Sequence, residues 1–339
     1  MPPTANIAEF RMDNVATSSV GSAELTKIVR FKADLIWGIR KFLHEKDAIE
    51  VPMPILQRTR EGAPIDQWSS DNPYDGERWY LRHCMEDHLR RTAAAHPRVF
   101  EIGKAIRAER GDASHAHEFV VLELVFLELN YSDGVSLVRD MFAGPVADAI
   151  AEHYGTADRF RQIRVKKWHE ILTEQTGLVV REGDLIGHCK DVLAGRGVMP
   201  ERPYSVDWEV LEDIMKHVVE PACVEPTIIT HFPKELQHVC QIGTDTGRAL
   251  RLSTVVDGVE ISDGGVKFHR SNEYRRIYEA NARYRHDVLG LDGNALPEEF
   301  FADLDALSTA AFTSGVGIDR IVSLVHGCHI NRALIFPEG

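Results

Sequence analysis

The stretch RAERGDASHAHEFVVLELVFLEL, residues 107 to 129, joins two unlike compositions. Its first part, Arg107 to Phe119, is charged and loop-like, with two arginines, two glutamates and two histidines. The rest is an apolar run of strand character. Side chains alternate along a strand, so Phe119, Val121, Glu123, Val125 and Leu127 share one face. Glu123 is then a carboxylate in an apolar row, and leaving it unpaired there costs several kcal/mol. It must meet a cation or several donors, either an internal arginine or a ligand ammonium.

Phe119 lies on the same face about 13 Å from Glu123, at ~3.3 Å per residue. One strand can therefore hold an aromatic base at one end and an amino acid at the other, the span of an aminoacyl adenylate. Arg107 and His115 at the strand mouth are candidate phosphate contacts, Arg107 with a bidentate guanidinium. In SGVGIDR, residues 314 to 320, Gly315 and Gly317 permit close backbone approach. Arg320 falls in the first turn of a helix, where dipole and guanidinium both favour an anion. Glu260, just after a hairpin turn, can hold Mg²⁺ against phosphates or simply face solvent.

The 339 residues, 44% of them hydrophobic, suffice for one large or two interlocked domains. A net charge of -13 argues against a broad nucleic-acid or anionic-membrane surface. Cys84, Cys189, Cys223, Cys240 and Cys328 are scattered without a C-x-x-C, so neither a disulfide framework nor a zinc ribbon is signalled. No apolar run has signal-peptide or membrane-spanning form, which predicts a soluble cytoplasmic protein.

The apolar positions Leu25, Ile28, Leu35, Ile36, Ile39 and Leu43 follow the helical period. AIEVPMPIL, residues 48 to 56, reads as an edge or interface strand with Pro52 and Pro54 in the other register. Residues 58 to 78 read as a loop, about 133 to 153 and 272 to 286 as helices, and 155 to 222 as mainly helical. Asp257 and Gly258 mark a hairpin, and SGVGIDRIVSLVHG reads as a glycine-rich lead into a helix. Strands in hairpin-compatible sets, without regular alternation with helices, predict an α+β fold: an antiparallel sheet flanked by helices.

Three segments in order resemble the catalytic core of class II aminoacyl-tRNA synthetases, in the lysyl, aspartyl and asparaginyl subgroup. AIEVPMPIL resembles motif 1, FEIGKAIRAERGDASHAHEF motif 2, and GVGIDRIVSLVHG followed by ALIFP motif 3. The likeness covers residues 23–339 as a catalytic domain, with 1–22 as an N-terminal extension and 155–222 as a helical insertion. It implies ATP and Mg²⁺ and an aminoacyl-AMP intermediate. Arg107 would bind the α-phosphate, Glu109 the adenine amino group, His115 the outer phosphates and Phe119 the adenine face. Arg320 would hold the γ-phosphate, Gly317 would line the ATP site and Glu260 would ligate metal. Arg107 and Arg320 would be the catalytic pair. Glu86 would receive the substrate α-amine, with Glu61 a second such residue. Glu123, Asp263, Gly265, Lys267 and Gly315 would complete the amino-acid site.

The chain also departs from that pattern. Motif 1 begins within the first 50 residues, so no anticodon-binding barrel is expected and a tRNA acceptor is disfavoured. VVEPACVEPTIITHFPKEL resembles the ligase that lysylates elongation factor P, while EISDGG and HCM resemble archaeal asparagine synthetase. Both imply transfer to an amine that is a protein lysine, ammonia or a small metabolite. Val125 stands where an aromatic is usual, and Lys267 where a lysyl-type pocket places a carboxylate, so a simple cationic side chain is not expected. Ser253 replaces an acidic metal ligand, which leaves a noncatalytic regulatory paralog as an alternative, beside a truncated tRNA-charging enzyme. The motif 1 segment implies a homodimer.

Overall fold

The computed structural model describes residues 22–58, 60, 65, 67–108, 111–177, 184–291 and 298–334. Among these, the strands are Ile49–Glu50 (β1), Leu56–Gln57 (β2), Ser69–Asp71 (β3), Arg78–Leu81 (β4), Arg98–Ile106 (β5), Glu118–Leu127 (β6), Arg164–Lys167 (β7), Thr227–Thr230 (β8), Arg251–Val256 (β9), Val259–Val266 (β10) and Ala311–Gly317 (β11). Eight form one sheet in the order β1-β5-β6-β11-β10-β9-β8-β7, and β2-β4-β3 form a small second sheet. The large sheet is antiparallel except at its edges, where β1 runs parallel to β5 and β7 parallel to β8. Helices pack against it, so the α+β expectation holds.

The long helix Ser22–His44 (α1) buries Ile28, Phe31, Leu35, Ile39 and Leu43, a face set by the 3.6-residue period. That face packs with Leu122, Leu124 and Phe126 from one side of β6 and with the helices Ala147–Tyr154 and Ile318–His326. The opposite side of β6 carries Phe119, Val121, Glu123 and Val125. The short helix Glu86–Thr92 covers part of it through Met85 and Leu89. The helical stretches Trp168–Thr176, Leu185–Gly195 and 207–222 pack around a separate apolar cluster, with Trp168, Leu172, Leu211 and Val219 against Ile229 and Val255 of the sheet.

Four sequence expectations need correction. The strand at 48 to 56 is broken: β1 ends at Glu50 and pairing resumes at β2, because Pro52 and Pro54 have no N–H to donate. The loop at 58 to 78 contains β3, closed onto β4 by a turn in which Gly76 N–H donates to Asn72 O. The helix at 133 to 153 is interrupted by a π turn at Phe142–Val146 that accommodates Pro145. The glycine-rich lead before Ile318 is a central strand, β11, lying between β6 and β10. The 155–222 segment also contributes the edge strand β7.

Candidate active site

The sheet register builds the site. Glu101, Glu123, Gly315, Asp263 and Ser253 stand in one row across β5, β6, β11, β10 and β9. Gly315 thus separates two carboxylates, and its lack of a side chain leaves a slot between them. Two residues further along the strands, Val125, Thr313, Gly265 and Arg251 form the next row on the same face. In the other direction Val121 stands opposite Gly317. A cavity opens over these rows, lined by Arg107, His115, Phe119, Gly317 and Arg320 together with Glu123, Glu260, Asp263 and Gly315.

The Arg107 guanidinium lies 5.2 Å from the Phe119 ring centroid, and its buried Nε has no hydrogen-bond partner among the described residues. A buried donor left open in this way suits an incoming phosphate oxygen. The following loop is held by Asp112, which accepts from the Ser114 and His115 amides and lies 2.9 Å from His115 Nδ1. Burial works against this carboxylate, yet the Ser114 and His115 donors hold its pKa down at about 2. The Ile330 amide donates to Ala113 O, which ties the loop to the short helix Ile330–Ala333. Trp68 reaches over from beside β3, and its indole N–H donates to Arg107 O at 3.1 Å.

Arg320 joins the loop to β10, donating to Ser114 O and, through Nη1, to Glu260 O at 2.9 Å. The Glu260 side chain is 3.9 Å from the same guanidinium and accepts from Ser253 Oγ at 3.0 Å. Burial and then Asp263 push its pKa up, against Arg251 and Arg320. Arg251 is buried, pairs with Asp263 at 2.8 Å and donates to Leu236 O. Glu260 and the Ser253 hydroxyl place two hard oxygens 3.0 Å apart, and such donors suit Mg²⁺ shared with phosphates.

One partner of Glu123 is backbone: Met85 N–H donates to its Oε2 at 2.6 Å. Glu86, Lys267 and Gly265 sit beyond the cavity lining. Lys267 Nζ is 3.3 Å from Glu86 Oε2, which also accepts from Thr313 Oγ1. Burial disfavours the Lys267 charge, but Cys240, Glu86 and Asp263 outweigh it and hold its pKa above the usual value. Gly265 adopts φ +153°, and a Cβ there would come within 2.2 Å of Leu250 O. It is required by backbone packing rather than by ligand access. Glu61, Glu109 and the ALIFP segment beyond residue 334 lie outside the described residues.

Sequence reasoning missed Arg251, Ser114, Thr313 and the pair Arg82–Glu101, whose bidentate contact at 2.8 and 2.9 Å is buried beside Glu123. Gly103 carried a signal for that pair: a Cβ there would meet Glu101 Oε1 at 2.4 Å and Arg82 Nη2 at 2.6 Å.

The model of the family tRNA synthetases class II (D, K and N) matches residues 8–339. The chain belongs to this family. Among class II relatives, a lysine–tRNA ligase from Saccharolobus solfataricus is 27% identical over 97% of this chain and 68% of its own length. The lysine–tRNA ligase of Aquifex aeolicus is 24% identical over 94% of this chain and 55% of its own. The lysylphosphatidylglycerol biosynthesis bifunctional protein LysX of Mycobacterium sp. strain KMS is 27% identical over 93% of this chain. The chain spans 29% of that LysX protein. No described helix is long and apolar enough to cross a membrane.

Proposed function

We propose that the protein activates an amino acid with ATP, releasing pyrophosphate, and passes the acyl group to an amine other than tRNA, forming an amide. The observation that carries this reading is the convergence of Arg107 and Arg320, from different elements, on a cavity whose floor runs from Phe119 to Glu123. A substrate carboxylate oxygen attacks the α-phosphorus and the bond to pyrophosphate breaks. In the second step the amine nitrogen attacks the acyl carbon, AMP leaves, and the amine loses a proton.

No protein nucleophile is needed. Arg107 and Arg320 place positive charge where phosphate charge develops, and the sheet rows hold the two substrates in line. Mg²⁺ held by Glu260 and Ser253 would neutralise phosphate charge. The deep pair Lys267–Glu86 supports an amino acid whose side chain is not a simple cation, since an ammonium beside Lys267 is repelled.

Trp37 on α1 is 67% exposed, and Val29, Ile49, Ile55 and Leu56 are exposed nearby in sequence. These apolar groups support a homodimer built on this segment. A cytoplasmic location goes with the ATP reading.

The test is amino-acid-dependent exchange between pyrophosphate and ATP, screening the common amino acids singly, with Arg320→Ala as control. Exchange with one amino acid that the control loses supports activation; no exchange with any of them sinks it. Transfer to tRNA is the second reading, favoured by the names of two relatives. Acylation of tRNA by this chain would replace the amine-acceptor proposal.

A further inference from the structure

Lys32 lies on α1, outside the cavity lining, yet two short routes lead from its ammonium to two walls of that cavity. Along the first, Lys32 pairs with Asp319, whose side chain is 1% exposed. The other carboxylate oxygen of Asp319 accepts from Val120 N–H at 2.6 Å. Val120 follows Phe119, and Asp319 precedes Arg320, so one carboxylate fixes the backbone beside both ring and guanidinium. Along the second route, Lys32 Nζ donates to Ala333 O at 3.3 Å, at the end of the Ile330–Ala333 helix. Ile330, at the start of that helix, donates its N–H to Ala113 O in the loop carrying Ser114 and His115.

We infer that Lys32 is a positioning residue for nucleotide binding, tying α1 to Arg320, Phe119 and the 111–116 loop at once. Burial raises the pKa of Asp319, and Lys32 is the foremost group opposing it. Removing the ammonium leaves a buried carboxylate uncompensated next to Arg320. It also frees the C-terminal helix, so that both walls can shift. An ammonium has three donors and no acceptor, and this one reaches a carboxylate and a carbonyl on different helices. A neutral residue cannot reproduce the ion pair with Asp319.

The experiment compares Lys32→Met, Lys32→Gln and Lys32→Arg in the full chain by equilibrium dialysis of ATP, with thermal melting and the amino-acid KM at saturating ATP measured alongside. The expected result is an ATP dissociation constant raised about tenfold in Lys32→Met and Lys32→Gln. The amino-acid KM should move less than about twofold, and Lys32→Arg should restore most of the affinity. A residue needed only for stability would lower the melting temperature and leave ATP affinity unchanged below it. If Lys32→Met does not fold, the more polar Lys32→Gln decides. A folded neutral variant that binds ATP as tightly as the unmodified chain overturns the inference. It rests on the nucleotide reading above, and the two fail differently: an unmodified chain that binds no ATP removes both, whereas intact binding in the variant removes only the role of Lys32.

Discussion

The Lys267 ammonium stands 3.3 Å from Glu86 Oε2, the oxygen that also accepts the Thr313 hydroxyl. Glu86 opens the helix Glu86–Thr92 and Lys267 follows β10, far apart in sequence, and the lysine is buried. A second ammonium placed beside this pair would compete with Lys267 for Glu86 and be repelled by it. The unmodified protein is therefore expected to exchange poorly with lysine and arginine. Lys267→Met should raise the selectivity for lysine over the preferred amino acid by at least about tenfold, as the ratio of kcat/KM values. Lysine as the best substrate of the unmodified chain would refute this reading of the pocket.

Arg320 donates to Ser114 O and Glu260 O with the same guanidinium. Arg320→Ala removes cavity charge and also unties the loop from β10. Its kcat/KM for exchange should fall by at least about a hundredfold. Arg320→Lys should not restore it, because a lysine cannot span two carbonyls in one plane. Since the residue lies at the cavity edge rather than in the apolar core, the melting temperature should move little. A loss of activity matched by an equal loss of folded protein would count against the catalytic role.

Arg82 and Glu101 form a buried bidentate pair, with side chains 2% and 10% exposed. Glu101 also accepts from Met53 N–H, and Arg82 donates to Met53 O and Lys104 O. Glu101→Ala strands a buried guanidinium, so denaturant unfolding should show a loss of about 3–5 kcal/mol. Gly103→Ala should destabilise through the same pair, because its methyl occupies the space of those atoms. Gly103→Ala with unchanged stability would show that the pair can relax.

What could be read from the sequence was mostly local. The face of α1 follows from spacing alone, and the hairpin at Asp257–Gly258 follows from two residues that both take positive φ, 51° and 77°. The row from Phe119 to Glu123 was legible because alternation along one strand needs no partner. The strand β11 was not, because Ser314, Gly315 and Gly317 have weak strand preference and pairing on both sides fixes them instead. Arg82 with Glu101, Lys267 with Glu86 and Lys32 with Asp319 were equally hidden, since each joins separate elements. Of the candidate site residues in motifs 2 and 3, Arg107, His115, Phe119, Gly315, Gly317 and Arg320 line the cavity, while Glu109 lies outside the described residues. Lys267 and Glu86 needed the fold to show that they meet each other.

Glu220, just after the π turn Met215–Val219, carries the clearest pH signal. Burial first, then Glu260 and Glu212, push its pKa up to about 7, while Arg251 and Arg320 act the other way. The folded state therefore holds this proton more tightly than the unfolded chain, whose carboxyl keeps the ordinary value of 4.5. Its contribution to stability is fully present below the unfolded value and is lost as pH rises from there through about 7, by at most about 3 kcal/mol. Glu220→Gln keeps the shape and removes the titration. Urea midpoints measured between pH 4.5 and 7.5, with chelator present so that no divalent cation offsets Glu260, should fall more steeply in the unmodified protein than in Glu220→Gln. Parallel curves would place the titration on another group.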